Sequence, residues 1–362
     1  MKNRIFNFSA GPCTLPLSAL EKAQKDFVDY QGAGMSIIEM SHRGKHYDKV
    51  HFEAIANIRE LLSVPEDFDI MFIQGGATLQ FAMVPMNFLG AGKVGEYVNT
   101  GAWAKKAIAD GKKIGETKVI WSGEDKNFTV MPKPLDIKFS ADAAFVHMCS
   151  NETIGGIECH DFPDTGSVPL IADMSSHIMS RPIDFSKIDM AYGGVQKNLG
   201  PAGMAVVIMK KSLVEKANEN LPAYLSYKIH ASKDSLYNTP SVFVIYIMKL
   251  TTDWVKEIGG LKAVENLAIS RSGLVYEAID NSGGWYSCPV DKNSRSRMNV
   301  VWRLPSEDLE KKFIAEALDA GFSGLKGHRS VGGCRASMYN AMPLEGAKKL
   351  AEFMVRFKQA NA

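Results

Sequence analysis

The chain has 362 residues, of which 46% are hydrophobic and 23% charged, an ordinary balance for a globular protein too long for one small core. Lys and Arg together number 42 against 40 Asp and Glu, a net charge of +2, which argues against a nucleic-acid-binding or polybasic membrane surface but leaves room for a local anion pocket. The basic N-terminus has no apolar stretch behind it, no run is long enough to span a bilayer, and the five cysteines form no Cys-x-x-Cys pair. The expectation is a cytoplasmic protein with scattered reduced thiols and no metal site.

From residue 70 to 210 short apolar runs alternate with helix-like stretches, the pattern of a largely parallel, helix-covered sheet. The ligands of such sheets sit beyond the strand C-termini, so the turn after each run is where chemistry is expected. Run 70–73 is followed by Gln74-Gly75-Gly76-Ala77-Thr78 and a helix from Leu79. Small residues there let backbone N–H groups approach a phosphate at a helix N-terminus, although a tight turn with no ligand would read the same. With no Walker pattern and no G-x-G-x-x-G, a nucleotide is not indicated.

Run 94–98 leads through Asn99-Thr100-Gly101-Ala102 to Trp103, a candidate to stack on a flat ring or simply a core tryptophan. After run 119–121, run 143–148 ends in Ser150-Asn151-Glu152-Thr153, whose threonine can hydrogen-bond a ring oxygen. Run 170–172 stops at Asp173-Met174-Ser175-Ser176. A carboxylate at a buried strand end needs a partner: either the next helix as its cap, or the protonated ring nitrogen of a cofactor.

Run 189–192 opens into Gly193-Gly194-Val195-Gln196-Lys197-Asn198-Leu199-Gly200. Lys197 stands among small and apolar residues, where desolvation favours the neutral amine that forms a Schiff base. Asp173 and Lys197 are one strand–helix–strand step apart, which puts both at one sheet edge and at opposite ends of a small cofactor. Run 204–209 completes the series. Each signal is weak alone, but five turns converge on one chemistry, that of pyridoxal phosphate.

Composition changes near Gly259-Gly260. Beyond it lie a helical stretch (261–279), a Gly-rich turn, an apolar run (298–304) and two further helices (307–320 and 343–357), the order of a smaller α+β domain. Arg329 and Arg335 fall in the Gly-rich segment Gly327-His328-Arg329-Ser330-Val331-Gly332-Gly333-Cys334-Arg335, with no acid beside them. Guanidinium groups suit carboxylate and phosphate, though an exposed loop of surface ion pairs is the alternative. His42-Arg43 is similar, but Glu39 is near enough in sequence to pair with Arg43.

Phe8-Ser9-Ala10-Gly11-Pro12, Ser41-His42-Arg43-Gly44-Lys45, Asp173-Met174-Ser175-Ser176, Tyr192-Gly193-Gly194-Val195-Gln196-Lys197-Asn198 and Gly327-His328-Arg329 resemble the phosphoserine aminotransferase family of class-V aminotransferases over nearly the whole chain. The resemblance implies an α/β, fold-type-I pyridoxal-phosphate-dependent transferase. A large domain (16–260) would hold a seven-stranded, mostly parallel sheet, and a smaller α/β domain would combine 261–362 with the N-terminal 1–15.

In that family the lysine matching Lys197 carries the cofactor, residues matching Asp173, Trp103, Thr153 and Gln196 contact its ring, and those matching Ala77 and Thr78 contact its phosphate. Asn238 and Thr239 match a pair that reaches the cofactor phosphate from the other subunit, so the resemblance implies a homodimer with shared active sites. Ser9 and Arg43 match substrate-contacting positions. His42, Arg43, His328 and Arg329 match the group that receives the substrate phosphate, and Arg335 matches the arginine for the α-carboxylate. Some members have Gly-Arg where this chain has Ala77-Thr78, which shifts the cofactor-phosphate contacts toward backbone amides and the Thr78 hydroxyl.

The implied reaction is ping-pong transamination between L-glutamate and 3-phosphohydroxypyruvate, with a longer phosphorylated 2-oxo acid of vitamin B6 synthesis as a second candidate substrate. Two rivals remain at this point: another class-V activity, such as a cysteine desulfurase or an alanine–glyoxylate aminotransferase, and a cofactor-free scaffold. A cysteine desulfurase would need a nucleophilic cysteine on a mobile loop, for which only Cys334 is placed. A cofactor-free scaffold would be expected to lack Lys197 or Asp173.

Overall fold

The computed structural model describes residues 4–362. All seven apolar runs between 70 and 210 are strands of one seven-stranded sheet. Across the sheet they stand in the order Phe68–Gln74, Met204–Lys210, Met190–Gly194, Leu170–Asp173, Phe145–Cys149, Gly95–Asn99 and Thr117–Ser122. Only Met204–Lys210 runs against its neighbours; the other pairings are parallel. The expected α/β fold, with its mostly parallel sheet, is therefore the one observed.

The central strands are buried along their whole length, which is why they read as unbroken apolar runs rather than as alternating ones. Alternation survives in the choice of face. Ile70, Phe72, Val206 and Ile208 pack into one apolar layer, while Met71, Ile73, Val207 and Met209 pack into the other. Helices Lys45–Leu62 and Val242–Glu257 cover the first face, and helices Gly76–Phe88 and Ala102–Ile114 the second.

The helix expected from Leu79 begins earlier, at Gly76. Gly75, at φ +95°, turns the chain from strand to helix, and a Cβ there would stand 2.8 Å from the Leu79 side chain. A side chain at this position is excluded twice over. Helix Gly260–Asp280 matches the sequence expectation to within a residue.

A separate apolar cluster lies in the C-terminal part, built on Trp302, Phe313, Phe322, Phe353 and Phe357 with Phe8 from the N-terminus. Phe6–Asn7 pairs parallel with Phe322–Ser323 and ties the N-terminal segment to this cluster. Asn299–Trp302 pairs antiparallel with Cys334–Ser337, a strand that the Gly-rich sequence did not announce. No helix among the described residues is long and apolar enough to cross a membrane, and none of their His, Cys, Asp and Glu side chains group as metal ligands.

Candidate active site

At the C-terminal edge of the parallel strands lies a cavity of about 570 Å³, the size of a small-ligand site. Trp103, Thr153, Asp173, Gln196 and Lys197 line it, from the ends of four strands or the turns after them, with Gln196 and Lys197 sharing one turn. Ala77, Thr78, His328 and Arg335 line it as well.

Lys197 is only 7% exposed, and its Nζ donates to Thr153 Oγ1 at 2.7 Å. No ion pair among the described residues involves it. Burial pushes its pKa down, and the neighbouring Asp173 only partly opposes this. Asp173 is 3% exposed, and its Oδ1 accepts both the N–H of Ser175 (2.9 Å) and its hydroxyl (2.6 Å). Burial pushes this carboxyl up, while the Ser175 donors and Lys197 hold it down. The backbone N–H of Gly194 holds the Ser175 hydroxyl in turn, so the strand that leads to Lys197 also fixes the partner of Asp173.

Helix Gly76–Phe88 points its N-terminus into the cavity and has no acidic residue in its first turn. Unpaired N–H groups and the helix dipole make this an anion site without any arginine, which suits the Ala77-Thr78 of this chain. Across the cavity Trp103 has its ring centroid 5.7 Å from Lys197 Nζ, and its buried Nε1 has no hydrogen-bond partner. A flat anionic cofactor fits this set: a phosphate at the helix, a ring beside Trp103, a ring nitrogen at Asp173 and a carbonyl carbon at Lys197.

At the mouth Arg335 donates to the Thr153 carbonyl at 3.2 Å, its buried Nε is unpartnered, and no carboxylate pairs with it among the described residues. His328 Nδ1 faces the Ser330 hydroxyl at 2.7 Å. Partial burial, with the charges of Arg335, Arg329 and Lys106, lowers the pKa of this imidazole. Lys106, which stacks its ammonium 4.1 Å from the Trp103 ring centroid, was missed from sequence because Lys105-Lys106 reads as an ordinary helix surface. Ser175 and Glu152 carried no functional signal of their own either.

Some expected site residues do not line this cavity within one chain. Ser9 adjoins Ala10, which does line it. Arg329 is an exposed neighbour of His328. His42 and Arg43 lie on the turn before helix Lys45–Leu62, outside the cavity. Glu39 is not the partner of Arg43: its carboxylate accepts the Ser36 N–H in a capping box. Asn238 and Thr239 sit beside Gln74, with Asn238 Nδ2 3.1 Å from Gln74 Oε1, also outside the cavity. Cys334 is 1% exposed in a strand, with its thiol pushed up by burial, and so lacks the mobile nucleophile a desulfurase requires.

A buried lysine and aspartate at neighbouring strand ends, facing a cavity that the N-terminus of helix Gly76–Phe88 also lines, fit a fold-type-I transferase dependent on pyridoxal phosphate. Residues 5–350 match the family model for class-V aminotransferases. The chain belongs, within that class, to the phosphoserine aminotransferase family. It is 51% identical to the phosphoserine aminotransferase of Geobacillus kaustophilus over 99% of both chains. The solved phosphoserine aminotransferase of Bacillus circulans subsp. alkalophilus superposes with a TM-score of 0.98, at 51% identity and 99% coverage of both. The PLP-bound enzyme of Trichomonas vaginalis superposes at 0.92, with 40% identity, covering 97% of this chain and 100% of that one.

Proposed function

We propose that the protein transfers the amino group of L-glutamate to 3-phosphohydroxypyruvate, yielding O-phospho-L-serine and 2-oxoglutarate in serine biosynthesis. The longer phosphorylated 2-oxo acid of vitamin B6 synthesis is a further substrate in this reading. The observation that carries it is the pairing of an unpaired buried amine, Lys197, with a cationic mouth in which Arg335 has no acid of its own. One end of that mouth suits an α-carboxylate and the other a phosphate.

Bound pyridoxal phosphate supplies an electron sink for the pair left when the α-proton of the donor is removed. Lys197 carries the cofactor at rest. As a free amine beside the bound donor, its Nζ would take the α-proton and hold it as an ammonium ion for delivery within the site. The Asp173 carboxylate, oriented by Ser175, holds a proton on the ring nitrogen. Trp103 would stack on the ring, Thr153 and Gln196 would contact it, and Ala77 and Thr78 would hold its phosphate at the helix N-terminus. Arg335 orients the α-carboxylate, with Ser9 beside it, and His328 and Arg329 receive the substrate phosphate.

In this reading the protein is a cytoplasmic homodimer in which Asn238 and Thr239 of the partner subunit complete the cofactor-phosphate site. His42 and Arg43, which lie outside their own cavity, join the substrate-phosphate group by the same route. Large exposed apolar side chains flank both stretches, Met35 and Ile38 before His42 and Tyr237 next to Asn238. Where exposed apolar side chains gather into one patch, they mark a surface that another protein covers. The division into a large domain, 16–260, and a small one, 261–362 with 1–15, is supported by the separate C-terminal apolar cluster. The test is amino transfer from L-glutamate by the purified holoenzyme: 3-phosphohydroxypyruvate should be turned over and hydroxypyruvate should not. Equal rates on the two would sink the assignment of the phosphate group.

A further inference from the structure

Helix Ala102–Ile114 carries Trp103 in its first turn and caps itself poorly. Its N-cap is Gly101, which has no side chain to accept a bond, and the first turn contains no acidic residue. Unpaired first-turn N–H groups on a largely buried helix end are costly. The missing acceptor comes from far along the chain. Oε1 of Glu152 accepts the backbone N–H of Trp103 (3.1 Å) and of Ala104 (2.9 Å) and the hydroxyl of Thr100 (3.3 Å), while Oε2 accepts the Trp103 N–H at 3.0 Å.

Glu152 is 1% exposed and pairs with no cation among the described residues, so its charge is answered by the helix N-terminus and the Thr100 hydroxyl. The neighbouring backbone is shaped to admit it. A Cβ on Gly101 would stand 2.8 Å from Glu152 Cδ, closer than real side chains come, and a tight 3.1 Å from Oε2. The next residue, Thr153, takes the hydrogen bond of Lys197. Glu152 itself does not line the cavity.

We propose that Glu152 is a positioning residue for the cofactor ring: it caps helix Ala102–Ile114 from another strand and thereby fixes the Trp103 indole beside Lys197. The proposal rests on Trp103 as the ring-stacking residue. It explains why a glycine stands where a helix would ordinarily carry its own serine, threonine or aspartate cap. A capping side chain at 101 would occupy the space of the carboxylate, whereas Glu152 joins the Trp103 turn and the Thr153 turn in one rigid unit.

The experiment is a double-mutant cycle read as the affinity of the cofactor-free protein for pyridoxal phosphate and as the visible circular dichroism of the holoenzyme. Glu152→Ala is expected to weaken cofactor binding about tenfold, the scale on which outer partners of a bound group are felt, and to change the dichroic band. Glu152→Gln keeps an acceptor for the N–H groups and should recover most of both. In a Trp103→Ala background, Glu152→Ala should add less than about twofold, because its route of action is gone.

An equal loss in both backgrounds would overturn the proposal, since Glu152 would then act on the fold or through Thr153. Unchanged affinity and dichroism in Glu152→Ala would overturn it as well. If Glu152→Ala does not fold, Gly101→Ala, which keeps the carboxylate but displaces it, must show the same dependence on Trp103 or the proposal fails. A Trp103→Ala protein with normal affinity and dichroism would sink the stacking reading, and this inference with it, while leaving Lys197 and the reaction untouched.

Discussion

The Nζ of Lys197 donates to Thr153 Oγ1 at 2.7 Å, and the Thr153 hydroxyl passes its own proton on to Ser176 Oγ at 2.9 Å. The amine is thus held by a neutral acceptor rather than by a carboxylate, which keeps it oriented without locking it as an ammonium ion. Thr153→Val preserves the shape and removes that acceptor. Steady-state kinetics should show kcat reduced about fivefold, the worth of one ordinary hydrogen bond, with the KM values little changed. An unchanged kcat would mean that the hydrogen bond does nothing for the reaction.

Ser175 controls the charge of Asp173. Burial raises the pKa of this carboxyl, and the two Ser175 donors counter the rise by stabilising the ionised form. Ser175→Ala removes one of them, the hydroxyl, so Asp173 should take up a proton at higher pH than in the parent enzyme. The expected signature is an acid limb of the kcat profile moved to higher pH, with the alkaline limb in place. A shift to lower pH would contradict the sign of this effect.

Arg335 and the His328–Arg329 pair should separate in kinetics. An α-carboxylate is common to L-glutamate and O-phospho-L-serine, so Arg335→Leu should raise the KM of both, by about 100-fold for a lost bidentate pair. Arg329→Leu should raise the KM of O-phospho-L-serine preferentially. The reverse pattern would exchange the two assignments.

The proposed sharing of active sites across a homodimer predicts complementation. Lys197→Ala and the double variant Asn238→Ala, Thr239→Ala are each expected to be impaired as homodimers. Refolded together, they form mixed dimers in which one site carries both defects and the other carries neither. Recovered activity in the mixture, read against the separately refolded variants, is the expected result. No recovery, despite mixed dimers shown by mass, would place Asn238 and Thr239 at their own subunit's site.

Much of this was legible because burial on both faces leaves a simple trace. Seven apolar runs became seven strands, with ends displaced by only a residue or two where polar residues such as Gln74 and Asn99 continue a ladder. Lys197 and Asp173 were visible because a charged residue at the end of an apolar strand needs a reason. Strand Cys334–Ser337 was hidden by flanking glycines and by Arg335, which breaks its apolar pattern in order to face the cavity. The placement of His42 and Asn238 outside their own cavity depends on tertiary packing, to which no local pattern points. The cap on the Trp103 helix was invisible for a related reason: its donor and acceptor come from segments about 50 residues apart, and capping rules read from sequence look only a few positions along the chain.

The most direct test is the half-reaction of the purified holoenzyme, followed through the visible band of the lysine-bound cofactor. O-phospho-L-serine and L-glutamate should each bleach that band, and L-serine at the same concentration should leave it in place. Bleaching by L-serine or L-alanine, with O-phospho-L-serine inert, would keep Lys197 and the cofactor but contradict the phosphorylated substrate.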